Sequence, residues 1–214
     1  MSQYKSSMFS DAVYLFGTTF SSAPSRFDNK EELPDGTKVE QLKLAVQAVL
    51  AAFAYLYNKK LIDFVLEERE RKVLFRKTKV KAAIVKKLQS SAPDTSGLEA
   101  VIFTLIRGDN STIYGLTRGL FRSDVSNPWG AVLQIVKKNL LDKGILKQVE
   151  KGKVLFITRY KNVVNEDFSK EEKQVTELKK TLEELQSKGE LYKIILSDIA
   201  RGIYSLKKSQ DTGG

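Results

Sequence analysis

The chain has 214 residues, with 36 Lys and Arg against 26 Asp and Glu, a net charge of +10, and no His or Cys. The two absences exclude disulfides, thiol nucleophiles, zinc thiolate sites, the Ser-His-Asp triad and any imidazole acid or base. Catalysis would have to rest on carboxylates, Lys, Tyr or a carboxylate-bound metal, and the charge balance favours an anionic partner.

Residues 1–37 read as an N-terminal extension rich in Ser, Asp and Gly. Met8, Phe9, Ala12, Val13, Leu15 and Phe16 space out a short helix that docks on the core. Gly17 to Thr37 reads as a long loop broken by Pro24, Asn29, Pro34, Asp35 and Gly36. The N-terminus lacks a signal-peptide pattern, so a cytoplasmic location is expected. A single helical domain is expected over 38–208.

Leu42 to Tyr57 is apolar nearly all round, with Ala45, Ala48, Ala51 and Ala52 for close packing, and so belongs in the middle of a bundle. Its apolar stretch, Leu44 to Tyr57, spans 14 residues, short of the roughly 20 that a membrane span needs. Asn58, Lys59 and Lys60 end this helix. Ile62, Phe64 and Leu66 alternate, as do Val73 and Phe75, predicting a β-hairpin with a polar tip over Glu67 to Lys72. Val80 to Leu88 predicts a short basic amphipathic helix.

Ser90 to Ser96, with Pro93, is a linker. Leu98 to Ile106 predicts a second apolar helix, broken by Gly108, Asp109 and Asn110. Ser111 or Thr112 caps the next, Ile113 to Phe121. Asn127-Pro128 starts a helix with Asn as cap and Pro at the first position; it carries Val132, Ile135, Val136, Leu140 and Leu141 and stops at Lys143-Gly144. A second hairpin follows, Leu146 to Glu150 and Lys153 to Thr158, turning at Lys151-Gly152. Ser169 with Glu172 forms a capping box, and Val175, Leu178, Leu182 and Leu185 make a core stripe. After Gly189, the last helix is lined by Leu191, Ile194, Ile195, Ile199, Ile203 and Leu206. Residues 209–214 are a flexible tail. The expected fold is mainly α: a single-domain helical bundle with two short β-hairpins, each following a helix as in a winged helix.

The charge excess is concentrated. Lys59 to Lys87 holds 11 basic and 4 acidic residues, and Lys137 to Lys161 holds 8 and 2. If the two segments fold side by side, they form one positive face. The candidate anion-binding residues are Lys151, Lys153, Arg159 and Lys161 on the second hairpin, extended by Arg69, Arg71, Lys72, Arg76, Lys77, Lys79 and Lys81 on the first. Glu67, Glu68 and Glu70 read as a solvated turn rather than a metal site, and Trp129 as a core plug. No carboxylate pair, metal-ligand spacing or cofactor motif stands out, so no catalytic residue, metal or cofactor is expected.

An anionic lipid surface is the first partner expected for these cations, and two alternatives stand beside it. The order helix, helix, helix, hairpin over Leu98 to Arg159 suits a winged-helix DNA-binding module, with Gln134, Lys137, Lys138 and Asn139 as the polar set that would read a groove. An interaction scaffold with no lipid or nucleic-acid ligand is the other.

Four segments in order are similar to the Golgi phosphoprotein 3 family. The sharpest is KKNLLDKGILKQVEKGKVLFITRY, Lys137 to Tyr160. AVLAAFAYLYNKKLIDFVLEE (Ala48 to Glu68), ERKVLFRKTKV (Glu70 to Val80) and SSAPDTSGLEAV (Ser90 to Val101) accompany it. The resemblance implies a non-enzymatic peripheral membrane protein, with phosphatidylinositol 4-phosphate as the family's ligand and the second hairpin serving membrane contact or self-association into a homo-oligomer. The positions of the family's headgroup-binding Trp and Args fall at Val39, Ala48, Gly130 and Leu133. None of these donates a charge-assisted hydrogen bond to phosphate, so the headgroup site is not retained.

Overall fold

The computed structural model describes residues 8–26, 28–73, 76–92, 94–108, 110–121, 125–154, 157–165 and 169–207. Of 71–73, 76–78, 153–154, 157–159 and 169–171 it describes the backbone alone. The fold is predominantly helical, with eight helices and three small antiparallel sheets among the described residues. It is a mixed architecture rather than a purely helical bundle, and both expected hairpins are present in it.

The core is built around α3 (Gln41–Asn58). Its apolar residues face in nearly every direction, and Leu44, Ala48, Val49, Leu50, Phe53 and Leu56 are fully buried. Each large side chain among them contributes roughly 1.5–3 kcal/mol by leaving water. α1 (Phe9–Leu15), α4 (Gly97–Leu105), α6 (Pro128–Asp142), α7 (Ser169–Ser187) and α8 (Glu190–Tyr204) pack against it. Leu178 and Leu185 of the expected α7 stripe are buried, and Thr181 joins them. Among the described residues no helix is long and apolar enough to cross a membrane.

Several start and stop signals act as their chemistry requires. Asn127 caps α6 by accepting from the Gly130 N–H at 3.0 Å. Thr112 caps α5 (Ile113–Arg118) by accepting from the Gly115 N–H at 3.0 Å. α5 ends at Arg118, one turn short of the expected Phe121. Gly189 takes φ +59 between α7 and α8. The Ser169 side chain of the expected capping box and the tail 209–214 lie outside the described residues.

The strands bring the corrections. The segment Val80 to Leu88 is not a helix; all of it but Leu88 belongs to β4 (Arg76–Lys87), the middle strand of a sheet ordered β3-β4-β5, with β3 at Ile62–Val73 and β5 at Ser111–Thr112. Ala83, Ile84 and Val85 are buried, and a strand covered on both faces shows no alternation to distinguish it from a helix. Glu67 to Lys72 is not a tip either. β3 runs through it because β4 supplies opposite charges, Glu68 facing Lys81 and Glu70 facing Lys79 in the ladder, and such pairs stabilise a strand. In the second hairpin, β6 (Leu146–Val154) and β7 (Ile157–Val164), Lys151-Gly152 is a bulge at the register shift between Glu150 and Gly152, and the strands continue to Val154 opposite Ile157. Gly17 to Thr37 is not a continuous loop: it holds α2 (Gly17–Phe20) and β1 (Lys30–Glu32). β1 pairs with β2 (Lys38–Glu40), so the expected boundary at 37/38 falls inside a hairpin.

α1 is fixed by buried polar groups. The Asp11 carboxylate accepts from the Met8 N–H at 3.0 Å, from Asn139 Nδ2 at 2.9 Å and from Lys143 Nζ at 2.7 Å. Glu99 of α4 accepts from the Ser10 N–H at 2.9 Å and the Ser10 hydroxyl at 2.8 Å. A second network centres on Glu31, which accepts from the Tyr14 hydroxyl, Gln41 Nε2 and Lys137 Nζ, each at 3.0 Å. Burial and the Glu31 charge push the Tyr14 hydroxyl far up, so it stays a donor. Groups buried this deeply are tolerated because each has its partners.

Candidate functional site

The two helix–hairpin junctions share one construction. At the end of α3, the Lys60 N–H bonds to the Tyr57 carbonyl and the Leu61 N–H to the Leu56 carbonyl, both at 2.9 Å. At the end of α6, the Gly144 N–H bonds to Leu141 and the Ile145 N–H to Leu140, again at 2.9 Å. This is the Schellman pattern, with Lys60 at φ +53 and Gly144 at φ +71 in the left-handed position. The base of each hairpin closes on the next residue: Leu88 N–H donates to Leu61 at 2.9 Å, and Asn165 N–H donates to Ile145 at 2.8 Å.

The outer ends also correspond. The ladders run out to Val73 opposite Arg76 and to Val154 opposite Ile157. Leu74-Phe75 and Leu155-Phe156, the dipeptides between these pairs in the chain, lie outside the described residues. The sequence Lys-Val-Leu-Phe occurs at both places, 72–75 and 153–156. Residues 71–81 hold six basic and no acidic side chains, and residues 151–161 hold four and none. The repeated tetrapeptide is a signal present in the sequence, and its Lys-Val half reaches the outermost ladder pair of each hairpin.

The candidate cations fall into two groups. Arg69, Arg71, Lys72, Arg76, Lys77, Lys79 and Lys81 all lie on β3–β4, and Lys151, Lys153, Arg159 and Lys161 all lie on β6–β7. The hairpins belong to separate sheets and dock on different helices, β3–β4 on α3 and α8 and β6 on α6. No shared sheet therefore joins them into one face.

Within the first group, Arg69 bonds to the Asn110 carbonyl at 3.4 Å and lies 3.6 Å from Glu67. Lys79 lies 3.7 Å from Glu68. Lys81 pairs with Glu190 at 2.7 Å, and that hydrogen bond raises its ammonium above the usual lysine range. In the second group, Lys151 pairs with Glu32. Glu32 is held below the ordinary carboxylate range chiefly by that hydrogen bond, with Lys38 and Lys161 adding their charge. Lys161 is exposed. The side chains of Arg71, Lys72, Arg76, Lys77, Lys153 and Arg159 lie outside the described residues.

Other expected positions are accounted for by packing. Val39, Ala48, Gly130 and Leu133 are all buried. Trp129 is buried and stacks on Tyr204 at 6.5 Å. Of the α6 set that would read a DNA groove, Asn139 is bound to Asp11 and Lys137 to Glu31, leaving Gln134 and Lys138 exposed.

The buried carboxylates Asp11 and Glu99 went unrecognised in the sequence. Each is a lone acid on an otherwise apolar helix face, a pattern that marks a buried charge only once the partner elements are known. Among the described residues no group of three acids is placed to hold a metal ion. Comparison with protein-family models, curated proteins and solved structures gives no match to this chain.

Proposed function

We infer that this chain is a non-enzymatic, peripheral protein that binds anionic membrane surfaces through its two hairpins. The observation that supports this reading is the Lys-Val-Leu-Phe repeated at 72–75 and 153–156, next in the chain to the outermost ladder pair of each hairpin, within stretches 71–81 and 151–161 that hold basic and no acidic residues. Cations draw a protein to an anionic surface by about 1 kcal/mol each, and apolar side chains beside them enter the headgroup boundary. The resemblance to the Golgi phosphoprotein 3 family points the same way. In this reading α3 with β3–β4 and α6 with β6–β7 are two versions of one winged-helix-like unit, each presenting a membrane-contacting tip. Lys81 and Lys151 exchange Glu190 and Glu32 for lipid phosphate, and the outer cations make the first contact. The same tip on the second hairpin is the place where two copies would associate.

Flotation with vesicles of phosphatidylserine and phosphatidylcholine tests this. The protein co-floats with the phosphatidylserine vesicles at low salt and is released as salt screens the attraction. Replacing both apolar dipeptides by Asn-Gly weakens flotation while leaving the thermal midpoint in place. Failure to co-float, or flotation abolished by competing duplex DNA that binds more tightly, overturns the reading.

A further inference from the structure

The first two turns of α3 are covered less completely than the rest of that helix. Leu42 and Val46 stand there half-buried, four residues apart, with Lys43 one position further on. The last turns of α8 repeat the arrangement: Ala200 and Tyr204 are four apart, with Arg201 one position on. Residues four apart share a helix face, so each helix offers a short apolar strip edged by a cation. Between them, bounded by the end of α2 and by Tyr114, lies an open groove of about 940 Å3. Sites for small organic ligands span about 300–1,000 Å3.

The two cations are held differently. Lys43 pairs with Glu40 at 2.7 Å and donates to the Ser22 hydroxyl at 3.0 Å. Arg201 lies over the Tyr114 ring at 5.3 Å, while its contact with Asp198 is 3.4 Å. That is long beside the roughly 2.7–2.9 Å of a strong charge-assisted bond, and a guanidinium has five donors. Arg201 is thus positioned by stacking and only loosely engaged by its acid. Tyr204, three residues after Arg201 on α8, also lines the groove and is 61% exposed.

We propose that this groove binds a single-chain amphiphile, its acyl chain lying along Leu42, Val46 and Tyr204 and its anionic head on Arg201, with Lys43 beside it. The head is the carboxylate of a fatty acid or the phosphate of a lysophospholipid, since both offer negative charge and acceptor oxygens to a guanidinium. The groove uses no residue of β3–β4 or β6–β7, so it stands independently of the membrane-surface reading.

The test is displacement of dansyl-labelled undecanoic acid from the full-length protein in buffer without vesicles. The probe's emission shifts to the blue and saturates, and oleate or oleoyl lysophosphatidate displaces it; the better competitor identifies the head. Arg201→Gln weakens oleate by about tenfold, the worth of one charge-assisted hydrogen bond. Val46→Glu removes probe binding by placing a charge on the floor. Tyr204→Ser weakens binding, lowers the thermal midpoint only by the loss of its stacking on Trp129, and covers the case in which Val46→Glu disturbs folding. The absence of a saturable shift, parent-like binding by Arg201→Gln and Tyr204→Ser, or competition by uncharged monoolein equal to that by oleate overturns the proposal.

Discussion

The Lys143 ammonium meets Asp11 Oδ2 at 2.7 Å, joining residues 132 positions apart in the chain, with the two side chains 4% and 0% exposed. Lys143 also caps the C-terminus of α6, so the residue that begins the turn into the second hairpin is the one that pins α1. Removing one member of a buried pair leaves the other charge without compensation, at a cost of about 3–5 kcal/mol, whereas removing both costs less. Lys143→Met is therefore expected to lower unfolding free energy by about 3 kcal/mol. The double variant Asp11→Asn with Lys143→Met recovers part of that loss. Urea unfolding of the four proteins in the cycle measures both.

Glu99 gives the fold a pH dependence of defined sign. Burial, and then the nearby Asp11 charge, raises its carboxyl to about 8, whereas the unfolded group titrates at about 4.3. Between those values the folded protein holds the proton more tightly, so stability falls as pH rises. The urea midpoint is expected to decline from pH 5 towards pH 8. Glu99→Gln flattens that decline, and a slope unchanged by the substitution would show that another group is responsible.

The matched junctions differ at one atom group. Gly144 occupies the left-handed position at the end of α6, while Lys60 occupies it at the end of α3 at φ +53. A non-glycine residue there costs roughly 1–2 kcal/mol, offset in part by the entropy that glycine loses on folding. Lys60→Gly is expected to raise stability by about 0.5–1 kcal/mol and Gly144→Ala to lower it by about 1 kcal/mol. Thermal unfolding resolves both signs.

α8 approaches α5 closely at Gly202. A Cβ at that position would lie 2.7 Å from the Thr117 Cβ and 3.2 Å from the Tyr114 carbonyl oxygen. The backbone oxygen does not yield, so Gly202→Ala forces the helices apart. A loss of about 1–3 kcal/mol is expected, read as a lowered urea midpoint. Gly202→Ala with Thr117→Ser removes the methyl contact and recovers part of it.

The helices were legible where a cap and an apolar period coincide. Asn127-Pro128 and the Lys143-Gly144 stop frame α6 to within a residue, and the all-round apolarity of Leu42 to Tyr57 identifies the central helix. β4 was not legible, because Ala83, Ile84 and Val85 are covered on both faces and carry no alternation. The hairpin turns were misplaced for a different reason. Charged and glycine residues have the chemistry of turn formers, while in the fold Glu68 and Glu70 face Lys81 and Lys79 across a ladder and Gly152 sits in a bulge. The basic residues of the candidate surface were visible in the sequence. Their partners Glu190 and Glu32 were not, since each lies far along the chain from the lysine it meets.

The closing bonds from Leu88 to Leu61 and from Asn165 to Ile145 set the register of each hairpin at its root, beside the core. Strand length further out is then decided independently of the helix below, and the two hairpins differ there, with 12 residues in β3 and 9 in β6. The core fixes where each arm begins, and the arm's own ladder fixes how far it reaches.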